Sequence, residues 1–228
     1  IMNIVTSAFG NAGQKCSACS LLLVERSVYE DKNFQDKLKD AATSIKVGSV
    51  WEAGNVVGPM ITNRNDKLLQ ALTLEPGESW LVPPKFIDEK QYILAPTVKW
   101  GVKPGSYSFR TELFGPMLSV ACIDNLQQGI ELVNSLDYGL TSGLQSLDEN
   151  EQKLWKDSIL AGNLYINRGI TGAIVNRQPF GGMKLSAFGG GVKAGGPNYC
   201  ACLVKITDKP ESNTDYKQSY PHAYEEEF

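Results

Sequence analysis

The chain has 228 residues, of which 42% are hydrophobic, and it carries 22 basic and 25 acidic side chains. This length and composition fit a globular protein with one large domain or two small ones. The near balance of charge, without a cluster of Lys and Arg, argues against a nucleic-acid partner for this segment. The sequence has neither a transmembrane-length apolar run nor the regions of a signal peptide, so we expect a cytoplasmic protein.

Apolar segments of strand length alternate with amphipathic segments of helix length along most of the chain. We predict, in chain order, a strand at 19–25, helices at 29–45 and 63–73, an edge hairpin or strand pair within 75–105, a strand at 118–123, a helix at 126–136, a strand at 140–146, a helix at 150–160, a strand at 162–167, a glycine-rich loop at 169–197 and a last strand at 203–207. This alternation is typical of an α/β fold in which helices cover a mostly parallel sheet.

Cys16 lies in FGNAGQKCSACS, between a predicted helix end and a predicted buried strand. Gly10 and Gly13 precede it and give the segment backbone freedom. A substrate can approach a thiol at such a junction closely, and nearby backbone N–H groups can stabilise a thiolate or an oxyanion. Residue type and position alone still favour a small buried side chain over a nucleophile.

The five cysteines are an odd number in a chain that we expect to be intracellular, which argues against a disulfide framework. A cysteine hydrolase is one alternative, and it would need His222, the single histidine, to reach Cys16. A structural zinc domain is another, built from the Cys16/Cys19 and Cys200/Cys202 pairs. The second pair is too tightly spaced for a standard zinc knuckle, so we expect no metal site.

The segment FGNAGQKCSA resembles the nucleophile motif of the aldehyde dehydrogenase family, F-x-N-x-G-Q-x-C. Further segments resemble landmarks of that family in the same order and at similar spacings: VGPMI (57–61), ELFGP (112–116), YGLTSGLQS (138–146), GNLYIN (162–167) and QPFGG (178–182). The resemblance covers residues 1–207 and implies the family's catalytic domain, with three αβα layers around a mostly parallel sheet. Residues 208–228 then form a tail that leads out of the domain.

The resemblance implies a role for three side chains. Cys16 matches the thiolate that attacks the aldehyde, giving a thiohemiacetal whose hydride passes to NAD, after which water hydrolyses the thioester. The backbone N–H of the same residue matches one oxyanion donor. Glu112 matches the carboxylate that binds the nicotinamide ribose, and Phe114 matches the ring that packs near the nicotinamide.

Residues 168–199 resemble the glutamate-semialdehyde dehydrogenases, especially those fused behind a proline dehydrogenase in bacterial proline utilization A. Gly172 and Ala173 match the backbone donors to the substrate carboxylate, Ser17 matches a hydroxyl that binds the same group, and Phe180 matches an aromatic ring beside the aliphatic chain. Exposed backbone N–H groups together with one hydroxyl can bind an anionic group such as a carboxylate. The glycines alone would also fit a loop that only passes between strands.

The implied reaction is the NAD-dependent oxidation of L-glutamate γ-semialdehyde, formed from 1-pyrroline-5-carboxylate, to L-glutamate in proline catabolism. In the family, the NAD-binding half, with the oxyanion Asn and the general-base Glu, would precede this segment. We therefore expect the segment alone to be inactive. The active enzyme would be a longer parent chain, which we expect to form a homo-oligomer. FAD would be bound only if a proline dehydrogenase domain is fused upstream. The alternative is a non-catalytic module for oligomerisation or channel sealing, against which the combination of Cys16, Ser17, Glu112 and Phe114 argues.

Overall fold

The computed structural model describes residues 1–62, 65–88, 90, 92–174, 177–188, 191–196, 199–205 and 207. The chain divides into two compact units, Ile1–Gly196 and Pro197–Phe228. The predicted tail at 208–228 lies outside the described residues, and the predicted domain boundary at residue 207 stays a prediction.

The described helices and strands alternate along the first unit. The α-helices are α1 (Met2–Phe9), α2 (Arg26–Tyr29), α3 (Lys32–Thr43), α4 (Asp66–Ala71), α5 (Tyr107–Arg110), α6 (Leu126–Asn134) and α7 (Glu149–Ser158). The strands are β1 (Leu21–Glu25), β2 (Ser79–Val82), β3 (Phe86–Asp88), β4 (Ile93–Leu94), β5 (Thr97–Trp100), β6 (Met117–Ile123), β7 (Tyr138–Gly139), β8 (Thr141–Leu144), β9 (Asn163–Ile166) and β10 (Met183–Lys184). None of the helices in the described ranges has the length and apolar content that crossing a bilayer requires.

The main sheet has four strands in the order β1-β6-β5-β2. Strands β1, β6 and β5 are parallel, whereas β2 runs antiparallel to β5 at the edge. Strands β8 and β9 form a separate parallel pair. The predicted α/β class with a mostly parallel sheet is confirmed, and so is the predicted strand pair within 75–105.

Strand β6 separates two apolar layers because its side chains alternate between the faces of the sheet. Leu118 and Val120 belong to a core that α1, α3 and α4 cover. Ala121 packs on the opposite side, in a cluster to which Leu132 of α6 contributes. A third cluster joins α6 and α7 to β8 and β9, with Trp155 buried at its centre. Helices on both faces give the predicted three-layer arrangement.

Four helices begin at a short polar residue whose side chain accepts a backbone N–H of the first turn. These N-caps are Asp31 for α3, Asn65 for α4, Asn125 for α6 and Asp148 for α7. Helix α3 then buries Leu38 and Ala42 completely, as the predicted amphipathic face requires. Capping and apolar spacing together explain why α3, α4 and α6 lie within the predicted ranges and why α7 begins one residue before its predicted range.

The prediction of a strand at 203–207 is wrong over the described residues of that range. The chain forms a 3₁₀ helix at Tyr199–Leu203 instead, and Leu203 and Val204 are 75% and 63% exposed. A strand leaves its backbone groups unbonded unless another strand pairs with it. Apolar residues alone therefore do not make a strand here.

A buried ion pair joins β5 to the segment before β2. Lys99 is fully buried, and its Nζ lies 2.9 Å from a carboxylate oxygen of Glu78, whose side chain is 1% exposed. The same ammonium group donates to the Thr73 carbonyl at 2.8 Å and to the Ser108 hydroxyl at 3.0 Å, and it lies 5.4 Å from the Trp80 ring centre. A buried charge needs a counter-charge and hydrogen-bond partners, because removing it from water is costly.

Replacing Glu78 with Ala should lower the free energy of unfolding by about 3–5 kcal/mol, because the Lys99 cation stays buried without its counter-charge. The double variant Glu78→Gln with Lys99→Met should recover part of this loss, since no charge then remains inside. Guanidinium unfolding of the chain measures both. The exposed pair Lys153–Asp157 supplies the control, in which Asp157→Ala should leave the midpoint nearly unchanged. An unchanged midpoint for Glu78→Ala would show that the pair does not stabilise the fold.

Candidate active site

Cys16 lies in a short turn between α1 and β1, and its side chain is exposed. A hydrogen bond of 3.0 Å from the Ala18 N–H to the Lys15 carbonyl closes the turn. The end of the turn is fixed to α1, because the Cys19 N–H donates to the Ser7 carbonyl at 3.0 Å. The structure therefore places Cys16 at the predicted junction, with its side chain open to solvent.

The chain reaches this turn through a run of left-handed backbone. Asn11, Ala12 and Gly13 have φ values of 54°, 55° and 66°. A Cβ atom on Gly13 would lie only 2.1 Å from the carbonyl oxygen of Gly115. Only glycine permits both the left-handed conformation and this backbone contact. The nucleophile segment is thus packed directly against the turn that follows Phe114.

Two side-chain amides hold the turn that contains Phe114. Gln14 donates to the Phe114 carbonyl at 3.4 Å and accepts the Ile61 N–H at 3.1 Å. Asn65 donates to the Leu113 carbonyl at 2.6 Å. Side-chain amides suit this task because each offers both donors and an acceptor to irregular backbone. Sequence reasoning recognised Gln14 only as a letter of the motif and did not find Asn65.

Cys16, Glu112 and Phe114 line one cavity of about 720 Å³. Phe114 has a φ of 50° and is 41% exposed, and Glu112 is also exposed. In the same cavity as the thiol, the carboxylate can accept hydrogen bonds from hydroxyl groups and the aromatic ring can pack against a flat ring. The cavity is larger than a small aldehyde, and residues of β1 and β8 also line it.

The four predicted substrate residues do not line the cavity that Cys16 lines. Ser17 is 7% exposed. Gly172 is exposed with a φ of 85°, and a Cβ atom there would meet open space. Ala173 and Phe180 are half-buried. The structure thus brings together the predicted nucleophile and cofactor residues, but not the predicted substrate residues.

Ser7 links α1 to the start of the glycine-rich loop, and sequence reasoning missed it. Its side chain is nearly buried, and its hydroxyl accepts the Ile170 N–H at 3.0 Å. Because the Ser7 carbonyl also accepts the Cys19 N–H, one residue is bonded to the nucleophile segment and to the loop. The sequence signal that could have identified Ser7 is a polar side chain on the buried face of an apolar helix.

The cysteines differ in their chemical environment. Burial raises the pKa of the Cys19 thiol to about 12, against the smaller opposing effect of a 3.4 Å hydrogen bond to the Leu21 carbonyl. Burial also raises the pKa of Cys122. Both groups therefore stay protonated at neutral pH, and protonated thiols are poor nucleophiles. Cys16 differs from Cys19 in its exposure, as a reactive cysteine must.

Within the described ranges, no group of three or more His, Cys, Asp and Glu side chains is placed to hold a metal ion. The zinc-domain hypothesis therefore gains no support there. His222, which the cysteine-hydrolase hypothesis needs, lies outside the described residues.

The aldehyde dehydrogenase family model matches residues 1–207. The chain belongs to the aldehyde dehydrogenase family. This confirms the resemblance drawn from the six sequence segments. The α/β layers around a mostly parallel sheet agree with the folds of solved members.

Relatives of this aldehyde dehydrogenase chain share specific names. A 1-pyrroline-5-carboxylate dehydrogenase of Geobacillus kaustophilus is 35% identical over 199 residues, which are 86% of this chain and 38% of that protein. The structure of proline utilization A from Corynebacterium freiburgense matches 99% of this chain and 24% of its own, with 43% identity and a TM-score of 0.84. A Thermus 1-pyrroline-5-carboxylate dehydrogenase with bound NAD matches 88% of this chain and 38% of its own, with 33% identity and a TM-score of 0.78. The chain thus spans less than half the length of each of these relatives.

Replacing Gly13 with Ala should disrupt the contact with Gly115, because the new methyl group would lie at 2.1 Å from a carbonyl oxygen in an unfavourable left-handed backbone. We expect a large loss of stability together with altered alkylation of Cys16, measured by thermal unfolding and by iodoacetamide labelling. Gly10→Ala is the matched control, since no atom lies within 4 Å of its Cβ position and its φ is −55°. Equal effects of the two variants would contradict the assigned role of Gly13.

Alkylation of the native chain at pH 8 should label Cys16 far faster than Cys19. A thiol with a pKa of about 12 is ionised to roughly one part in ten thousand at this pH. Raising the pH towards 10 should leave Cys19 unlabelled, because its raised pKa keeps the thiol protonated. Peptide mass spectrometry measures both sites, and labelling in denaturant should make Cys19 reactive. Fast native labelling of Cys19 at pH 8 would show that its pKa is not raised.

Proposed function

We propose that this chain is the cysteine-bearing part of an NAD-dependent dehydrogenase that oxidises L-glutamate γ-semialdehyde to L-glutamate in proline catabolism. The observation that carries the proposal is the exposed Cys16 on one cavity with Glu112 and Phe114. The names of the relatives, 1-pyrroline-5-carboxylate dehydrogenase and proline utilization A, support the choice of aldehyde.

Cys16 would act as the nucleophile. Its thiolate adds to the aldehyde carbon, so that a C–S bond forms and the carbonyl electron pair moves to oxygen. The backbone N–H of Cys16 is the donor from this chain that we propose for that oxyanion, and one such donor contributes roughly 3–4 kcal/mol. The turn that Ser7 and Gln14 hold in place supplies the required rigidity.

The described residues fit the nicotinamide end of NAD. An exposed carboxylate at Glu112 can accept hydrogen bonds from two ribose hydroxyls, and the exposed ring of Phe114 can pack beside a flat heterocycle. NAD, when bound, supplies the oxidant for the thiohemiacetal on Cys16. The family relationship implies that the adenosine site and the general base belong to the rest of a longer polypeptide, and we propose that polypeptide as the partner of this chain.

The glycine-rich loop would select the substrate. Gly172 is exposed and in the left-handed conformation, so its N–H can point to a carboxylate without a side chain in the way. Ala173 would donate the second N–H, Ser17 a hydroxyl, and Phe180 the ring beside the aliphatic chain. Since these four residues do not line the Cys16 cavity in this structure, their joint action requires a substrate that spans the loop and the thiol.

The alternative, a non-catalytic module kept for oligomerisation or channel sealing, would not require an exposed Cys16 on one cavity with an exposed Glu112 and Phe114. A cysteine retained only for packing would be less exposed, as Cys19 is. The homo-oligomeric state of the whole enzyme remains part of the proposal.

NADH formation from glutamate semialdehyde tests the nucleophile in the complete natural polypeptide that contains this chain. Cys16→Ala should lower the rate by a factor of about 10³ or more, because no covalent intermediate can form. Cys200→Ala is the control, since Cys200 also has an exposed side chain, and this variant should retain the rate. The isolated chain should form no NADH. Retention of activity by Cys16→Ala would refute the proposed role.

A further inference from the structure

Asn163, the first residue of β9, is a buried polar side chain that the proposed reaction does not use. It is 3% exposed. Its amide group donates to the Pro179 carbonyl at 2.9 Å, and its side-chain oxygen accepts the Gly181 N–H at 3.0 Å. The two hydrogen bonds therefore reach the residues on either side of Phe180.

The backbone of Phe180 is fixed from the opposite side as well. Its N–H donates to the Ala194 carbonyl at 2.9 Å, and its carbonyl accepts the Ala194 N–H at 2.9 Å. A Cβ atom on Gly162 would lie 1.9 Å from the Gly181 carbonyl oxygen, so the loop lies directly on the start of β9. The Lys193 ammonium group also donates to the Gly162 carbonyl. Segment 179–181 is thus held in one register on the rigid part of the fold.

The Asn163 amide can take only one orientation in this arrangement. Its NH₂ group faces a carbonyl and its oxygen faces an N–H, so a reversed amide would place like groups together on both sides. A buried amide with two such partners fixes the positions of both partners. Moving either partner away would leave a buried polar group without a hydrogen bond, which costs free energy. No apolar side chain of the same shape could fix the position of Phe180 in this way.

We propose that Asn163 is a positioning residue that sets the place of the Phe180 ring and thereby the selection of an amino-acid semialdehyde over a short aldehyde. The inference rests on the proposed function, in which Phe180 packs beside the aliphatic chain of the substrate. Asn163 acts through the loop and does not touch the substrate itself.

The chain contains a matched comparison for Asn163. Asn134 donates to the Ser158 carbonyl at 2.8 Å and accepts the Leu160 N–H at 2.8 Å, so it brackets Ile159 in the same way. Ile159 is a buried core residue packed with α6 and α7. Replacing Asn134 with Leu therefore removes the same pair of hydrogen bonds around a residue to which the proposed function assigns no contact with the substrate.

The experiment compares Asn163→Leu and Asn134→Leu in the complete natural polypeptide, with glutamate semialdehyde and with propionaldehyde as substrates. Asn163→Leu should raise KM for glutamate semialdehyde by roughly tenfold or more, with kcat changed much less, while kcat/KM for propionaldehyde stays within about threefold. Asn134→Leu should change kcat/KM equally for both aldehydes, even if it lowers the thermal midpoint as much as Asn163→Leu does. Equal losses on both aldehydes for Asn163→Leu would overturn the proposal.

Asn163→Asp gives a second test that does not depend on the folding of the Leu variant. A protonated Asp can donate its O–H to Pro179 and accept from Gly181, whereas an ionised Asp loses the donor and repels the Pro179 carbonyl. Burial favours the protonated form and the nearby Lys193 cation favours the ionised form. The KM of this variant for glutamate semialdehyde, relative to the unaltered enzyme at each pH, should rise as pH rises.

The outcomes separate this inference from the proposed function. If the unaltered enzyme does not prefer glutamate semialdehyde to propionaldehyde, the proposed substrate is wrong. If the preference exists and Asn163→Leu keeps the KM of the unaltered enzyme for glutamate semialdehyde, Asn163 does not position the selecting ring. A KM ratio that rises with pH for glutamate semialdehyde and stays flat for propionaldehyde supports the positioning role.

Discussion

The backbone of Gly13 lies against the carbonyl group of Gly115, and this contact sets the spacing of the two segments that carry Cys16 and Phe114. Gly13 meets two demands at once, because its φ of 66° is left-handed and its α-carbon has no room for a methyl group. The relative positions of the thiol and the ring are therefore set by the main chain. Side-chain packing could adjust through rotamer changes, whereas a contact between two backbones cannot.

The segments around this contact lack regular structure, so their backbone groups need partners from side chains. Gln14 and Asn65 bond to the turn at Phe114, and Ser7 and Asn163 bond to the glycine-rich segment. The sheet and its helices supply the rigid anchor points for these bonds. Irregular loops on a rigid scaffold are the common arrangement for sites, because loops can vary while the scaffold keeps its geometry.

Local patterns predicted the regular elements well, since the apolar run in β6 and the amphipathic spacing of α3 depend only on neighbouring residues. The junction at Cys16 followed from the same patterns. Lys99 did not, because a lysine predicts an exposed position unless its distant partner Glu78 is known. The prediction for 203–207 failed since a strand also requires a neighbour. The family and fold were predictable from motifs, while the roles of the individual site residues remain predictions.

Cys16 and Cys19 lie close in sequence, yet Cys16 is exposed, whereas Cys19 is half-buried and has a pKa of about 12. Oxidation of an exposed cysteine first gives a sulfenic acid, which a neighbouring thiolate can convert into a disulfide. Cys19 stays protonated at neutral pH and cannot make that attack, because the thiolate is the attacking species. Reduction of a Cys16 sulfenic acid then depends on thiols from solution. Without them, oxidation would proceed to the sulfinic acid, which is irreversible.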